Sequence, residues 1–195
     1  MKSNHNNAMD TKPAICVFCG SSFGDDPAFR AAAHAVGAGL AKAGFAMIFG
    51  GGGLGLMGEA ARGARDGGTT VNGILPGFLR DVEPPLTHGE TTEIVPDMFV
   101  RKQKMIERSD GFVVLPGGLG TYDEFFEVLT TAQLSVHKKP IVVVNTNGYF
   151  DLLDGLVRDC IAKGFARETV LELYHMAADA DAALAYLAQA LAPSR

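Results

Sequence analysis

No tryptophan occurs in this 195-residue chain, and cysteine occurs only three times. No apolar run approaches the ~18 residues that a membrane-spanning helix needs. Three thiols, an odd number, exclude a fully paired disulfide framework and fit a reducing cytoplasm. An excess of basic residues is lacking too: the formal net charge is −5, which argues against a nucleic-acid partner. What is present is a hydrophobic content of 47% and 24 glycines with no triplet period, the composition of a folded chain with many tight turns. The length suits one domain that buries roughly 70% of its unfolded surface. Residues 1–12 are polar and Asn-rich, without an apolar core. They are expected to form a disordered tail before a domain over 13–195, and do not resemble a signal peptide.

Short apolar runs alternate with segments of helical period. Strands are expected at 14–18, 46–49, 70–75, 111–115, 141–144 and more weakly at 173–177. Helices are expected at 27–43, 55–66, 98–109, 120–136, 149–163 and 181–191. Strands apolar on both faces and separated by helices imply a parallel sheet covered on both sides. The expected fold is therefore α/β, a doubly wound, Rossmann-like parallel sheet in a single domain, with ligands beyond the carboxyl ends of its strands. The segment 76–96 has no clean period and contains Pro84-Pro85; it reads as a lid or partner-contact loop.

Distinctive loops follow three of the strands: Cys19-Gly20-Ser21-Ser22, then Gly50-Gly51-Gly52-Gly53-Leu54-Gly55, then Pro116-Gly117-Gly118-Leu119-Gly120-Thr121-Tyr122-Asp123-Glu124. The last is the most informative stretch of the chain. A buried strand feeding a glycine turn and a helix start builds an anion site, because glycines let the backbone approach a phosphate and the first N–H groups point at it. Helical side chains lean toward the N-terminus, so Glu124 is expected at the mouth of that site beside Thr121. A carboxylate there repels a phosphate, which points to a chemical role. The helix dipole and a nearby Arg101 are expected to keep it ionised, as a base, a nucleophile or a stabiliser of a cation.

Other motifs are weaker. Gly53-Leu54-Gly55-Leu56-Met57-Gly58 matches the dinucleotide fingerprint literally but follows the second strand, with no acid at the tip of the next. Cys16 and Cys19 have a redox or zinc spacing, but the odd separation on a strand sends the sulfurs to opposite faces. No second cysteine pair or histidine pair completes a metal site. Met98-Phe99-Val100-Arg101-Lys102 places two cations at a helix start, against its dipole. Either they are a solvated face or Arg101 offers a fork to an anion. Glu127 shares the face of Glu124, with Thr130 and Thr131 a turn beyond. His34, His88, His137 and His175 lack ligand spacing and read as structural or surface groups, with His88 alone in the long loop.

Taken together, Gly-Ser-Ser after the first strand, the Gly50–Gly58 run, Met98-x-x-Arg101-Lys102 and P-G-G-x-G-T-x-x-E resemble the LONELY GUY (LOG) family of cytokinin riboside 5′-monophosphate phosphoribohydrolases, some of them labelled lysine decarboxylases. The resemblance runs from about Ala14 to the C-terminus. It implies that Arg101 and Glu124 are the catalytic pair, and that Glu83, Lys102, Gly118, Leu119, Gly120, Thr121, Tyr122, Asp123 and Thr130 contact the nucleotide. Ser21, Ser22, Gly52, Gly53, Met98 and Gly117 complete the expected substrate site from the strand-end loops. The implied reaction is hydrolysis of the N-glycosidic bond of an adenosine 5′-monophosphate, N6-substituted or plain, with no cofactor and no metal. A homodimer or higher homo-oligomer is expected, partly because bulky apolar groups surround much of the 98–106 helix. A nucleotide carrier or sensor on the same fold, and a general AMP nucleosidase, are the alternatives.

Overall fold

Strands that are apolar on both faces need two covering layers, and the helices divide to supply them. The computed structural model describes residues 12–86 and 91–192. Among them, β1 (Ala14–Phe18), β2 (Ala46–Phe49), β3 (Val71–Pro76), β4 (Thr91–Val95), β5 (Gly111–Val114), β6 (Ile141–Val144) and β7 (His175–Ala177) form one sheet. Its order is β4-β3-β2-β1-β5-β6-β7, with every pair parallel. Val17 of β1 stands opposite Phe49 of β2 and Val113 of β5. The chain winds one way from β1 to β4 and the other way from β5 to β7. The switch between β1 and β5 opens a crevice at their carboxyl ends.

Alternation along each strand sorts the core into two layers. Ile15 and Val17 face α1 (Pro27–Lys42), α2 (Gly55–Asp66) and α6 (Ala180–Ala190). Cys16 and Phe18 face α3 (Met98–Glu107), α4 (Leu119–Gln133) and α5 (Asp151–Ala162). Cys16 and Cys19 accordingly lie in opposite layers as free thiols, and burial pushes both up. The C-x-x-C spacing has no redox or metal geometry. Among the described residues no helix is long and apolar enough to cross a membrane, and no cluster of His, Cys, Asp and Glu has a metal-binding arrangement.

Three helix starts carry an aspartate cap. Asp26 accepts from Ala28 N at 2.8 Å ahead of Pro27, Asp97 from Val100 N at 2.9 Å, and Asp179 from Ala182 N at 2.9 Å. Each satisfies a donor that would otherwise need water or a ligand. The start of α4 has only Gly118 at the cap position, with no side-chain bond.

The sequence expectations need five corrections. The segment 76–96 is not one loop: it ends β3, turns through a 3-10 helix at Gly77–Leu79 and forms β4. As Thr-Thr-Glu-Ile-Val, β4 is an edge strand with mostly open side chains, so it lacks the apolar run that marks the buried strands. The third helix ends at Glu107, and α4 at Gln133, where Ser135 adopts φ 60° and turns the chain. Residues Thr146–Gly148 form a separate 3-10 turn before α5 starts at Asp151. The last strand begins at His175, after a 3-10 turn at Glu168–Glu172. His88 and the tail 1–11 lie outside the described residues.

Candidate active site

A cavity of about 310 Å³ occupies the crevice at the β1/β5 switch, within the size range of small-molecule sites. The loop after β1 contributes Gly20 and Ser21, the loop after β2 Gly50, and α2 Met57. The 3-10 turn and the residues after it contribute Leu79 and Glu83, and α3 gives Met98 and Arg101. Gly118, Leu119, Gly120, Thr121 and Glu124 close it from the start of α4. The structure thus brings nine of the expected residues to one cavity: Ser21, Glu83, Met98, Arg101, Gly118, Leu119, Gly120, Thr121 and Glu124.

Arg101 is buried and held from several sides. Its Nε donates to Ile74 O at 3.2 Å, its Nη2 to Gly50 O at 3.0 Å, and its Nη1 to Met98 Sδ at 3.8 Å. Strand ends thereby fix the guanidinium plane, and N–H groups remain beyond those three bonds for the cavity that it lines. The solvated-face alternative is excluded for Arg101. Nor is Lys102 simply solvated: its side chain is mostly covered and ion-pairs with Asp123 at 2.9 Å and Glu127 at 2.8 Å. Burial works against the Lys102 charge, but those two carboxylates outweigh it and hold its pKa up. Lys102, Asp123 and Glu127 clamp α3 to α4 beside the cavity.

Glu124 is 8% exposed and accepts no hydrogen bond among the described residues. Burial pushes its carboxyl up to about 7; Arg101 and Lys102 pull it down, while the charges of Asp123 and Glu83 add to the rise. The expectation of a carboxylate kept ionised by arginine and helix dipole is therefore corrected. Desolvation wins, because a side chain this enclosed gives up water on all sides. Glu124 sits at the boundary between acid and base at neutral pH.

The α4 start leaves the N–H groups of Gly118, Leu119 and Gly120 without acceptors among the described residues, since Thr121 N and Tyr122 N turn back to Gly118 O. These are the donors an anion would take. A β-carbon on Gly117 would overlap Thr121 Oγ1 and lie 2.6 Å from Gly20 N, so only glycine lets the β1 and β5 loops meet there. By contrast, α2 is not a second anion site: Leu56 N donates to Ser22 O and Met57 N to Gly20 O, at 3.3 and 3.1 Å. Two amides of the dinucleotide fingerprint, those of Leu56 and Met57, are thereby spent on holding the β1 loop.

The remaining expected residues lie around the cavity, outside its lining. Gly52 faces Glu83, and Gly53 N donates to Pro84 O at 2.8 Å while its carbonyl accepts from Arg62. These glycines seat the segment that presents Glu83. Arg62 is in turn paired with buried Glu59, which also binds Arg30 and His34. Ser22 and Gly117 border a smaller neighbouring cavity. Tyr122 packs edge-on against Phe150. Thr130 is exposed, its hydroxyl bonded back to Phe126 O at 2.7 Å. His34, His137 and His175 are engaged with Glu59, Phe112 and Tyr186, away from the cavity. Gly50 and Met57 are lining residues that the sequence reasoning did not single out. The signal for Gly50 was its place directly after β2, where a strand end meets the crevice.

A family model described as possible lysine decarboxylase matches residues 57–187. A probable cytokinin riboside 5′-monophosphate phosphoribohydrolase of Oryza sativa subsp. japonica is 44% identical over 167 residues, covering 85% of this chain and 73% of the relative. A cytokinin riboside 5′-monophosphate phosphoribohydrolase of Arabidopsis thaliana is 41% identical over 162 residues, covering 82% and 74%. Among solved structures, the Moco carrier protein from Chlamydomonas reinhardtii superimposes with a TM-score of 0.71 at 26% identity, covering 94% of this chain and 99% of that one.

Proposed function

The chain belongs to the LOG family of cytokinin riboside 5′-monophosphate phosphoribohydrolases, and on that footing we propose how its cavity works. It hydrolyses the N-glycosidic bond of an adenosine 5′-monophosphate, N6-substituted or plain, and releases free base and ribose 5-phosphate. The observation behind the mechanism is the enclosure of Arg101 and Glu124 in one cavity with the uncapped start of α4.

The 5′-phosphate takes the free N–H groups of Gly118, Leu119 and Gly120, with Ser21 and Ser22 alongside. Anchored there, the ribose is positioned by binding energy remote from the bond that breaks. As the base leaves, C1′ gains oxocarbenium character, which an ionised Glu124 stabilises. Glu124 accepts a proton from the attacking water, whose oxygen bonds to C1′, and the bonding pair leaves with the base. The proton held by Glu124 then passes to the departed base, directly or through water, which restores the carboxylate. A pKa near neutrality suits a group that exchanges a proton at each turnover. Arg101, held by Gly50 and Ile74, binds the ribose phosphate or Glu124, and Glu83, which lines the same cavity, contacts the nucleotide. Lys102, Asp123, Tyr122 and Thr130 shape α3 and α4 around the nucleotide. Among the described residues no lysine lines this cavity, so a pyridoxal Schiff base of the kind the decarboxylase label implies finds no anchor among them.

The protein works in the cytoplasm as at least a homodimer, with no nucleic acid or membrane partner. Phe99 on α3 is 81% exposed beside Met98 and Arg101, which leaves an apolar flank for a second copy to cover.

The structural likeness to a Moco carrier favours a second reading, a carrier that binds a nucleotide and does not cleave it. Incubation with AMP and with N6-isopentenyladenosine 5′-monophosphate, followed by chromatography of the base, separates the two. Hydrolysis yields free base over many turnovers, whereas a carrier returns the nucleotide intact.

A further inference from the structure

Tyr149 lies outside the main cavity and none of the chemistry above uses it. It follows β6 at the end of the Thr146–Gly148 turn, half-buried, with its ring edge-on to Phe29 at 5.2 Å and to Phe150 at 4.9 Å. Its hydroxyl donates to the carbonyl of Gly117 at 2.6 Å. That carbonyl belongs to the peptide whose N–H is Gly118, the cap residue of α4.

In a trans peptide the C=O and N–H point in opposite directions, and the chain has no cis bond among the described residues. The two sides of the Gly117–Gly118 peptide face two different spaces. Tyr149 lines the smaller cavity of about 200 Å³ with Phe29, Ser22 and Gly117, while Gly118 also reaches the main cavity, which Tyr149 does not line. A peptide flanked by two glycines has little steric barrier to turning over. Something must choose its orientation.

We infer that Tyr149 is a positioning residue for the phosphate: by holding the Gly117 carbonyl it aims the Gly118 N–H into the main cavity. A hydrogen bond accepted by a carbonyl also polarises the N–H of the same peptide and makes it a better donor to an anion. Tyr149 thus acts on the 5′-phosphate through one peptide plane, without touching substrate. This rests on the phosphate-anchored reading of the α4 start given above.

The test is Tyr149→Phe, which keeps the ring contacts and removes only the hydroxyl. The Tyr149 hydroxyl also lies beside the Tyr122 hydroxyl. Tyr174→Phe is the control, because Tyr174 too uses its hydroxyl in a part-buried bond, to Asp154 at 2.6 Å, and lies off the main cavity. Tyr149→Phe is expected to raise KM for the nucleotide and the Ki of ribose 5-phosphate about tenfold, the size of one lost hydrogen bond to a charged group, with kcat within about twofold. Hydrolysis of the unphosphorylated riboside is expected to stay as it was, and Tyr174→Phe to leave all of these constants unchanged. Unchanged KM and Ki in Tyr149→Phe overturn the inference. So does an equal loss on phosphorylated and unphosphorylated substrates, which marks a structural role. A wild-type enzyme that turns over both substrates alike overturns the phosphate anchor itself and the inference with it. An independent measurement needs no variant: the Gly118 amide resonance of the wild-type protein is expected to shift on adding ribose 5-phosphate, and an unmoved resonance contradicts the inference.

Discussion

Arg101 Nη2 donates to Gly50 O at 3.0 Å, and a β-carbon placed on Gly50 would overlap that same nitrogen. The glycine both accepts the arginine and leaves it room. Its φ is not in the left-handed region, so alanine is conformationally allowed there and the conflict falls mainly on Arg101, with Met57 Sδ 3.1 Å away as the next neighbour. Gly50→Ala is expected to fold with near-normal thermal stability and to lose activity about 100-fold, the scale of a roughly 1 Å misplacement of a catalytic group. Steady-state kinetics alongside a melting curve check this. Full activity in a folded Gly50→Ala protein means that the position of Arg101 is unimportant.

Replacement of Glu124 by glutamine keeps the shape and removes the charge. Turnover is expected to fall at least about 100-fold, as for loss of an acid–base or electrostatic group. Binding of ribose 5-phosphate is expected to persist, since the α4 amides are untouched. With its carboxyl raised to about 7, wild-type kcat/KM is expected to rise with pH through neutrality, and this limb is expected to vanish in the variant. If binding disappears while turnover is retained, Glu124 is a ligand contact only.

The same shift makes a stability prediction of unusual sign. Folded Glu124 titrates near 7 and an unfolded glutamate near ~4.3, so between these values the folded state holds more protons. Its contribution is unpenalised below the unfolded pKa and turns unfavourable as pH rises through the folded one. Glu124→Gln is therefore expected to be more stable than wild type at about pH 8, by up to ~4 kcal/mol, with the difference fading toward pH 4. Denaturant titrations at several pH values report it. A gain that is constant with pH points to packing and not to ionisation.

How much of this was legible in the sequence depended on how strongly each residue's neighbours are local. The interior strands announce themselves, as in Ile141–Val144, because burial on both faces demands an unbroken apolar run. The edge strand Thr91–Val95 does not, since open side chains there can be polar at no cost. The glycine turn before Glu124 could be placed from spacing alone, because a helix start is a local structure. The ionisation of Glu124 could not. It depends on how completely Cys19, Arg101 and the rest of the cavity wall exclude water, and those groups come from segments far apart in the chain. Likewise, the literal fingerprint at Gly53–Gly58 was weakened in the sequence by its place after the second strand, but only the fold shows its Leu56 and Met57 amides spent on Ser22 and Gly20.

Phe99 on α3 is 81% exposed and Ile94 on the edge strand β4 is 51% exposed. Such apolar surface at an edge strand favours association. Light scattering on the active protein is expected to give at least the dimer mass at assay concentration. Full activity at a monomer mass rules out a site that needs a neighbouring copy.

The central claim is that the phosphate at the α4 start supplies the energy that positions the sugar over Glu124. It is tested most directly by measuring kcat/KM for N6-isopentenyladenosine with and without its 5′-phosphate, following free base and ribose products in parallel. The expected result is a preference of at least ~10³-fold for the phosphorylated substrate, consistent with the binding energy of a multiply hydrogen-bonded anion spent on orientation. Equal rates on the two substrates, with base released from both, contradict the account.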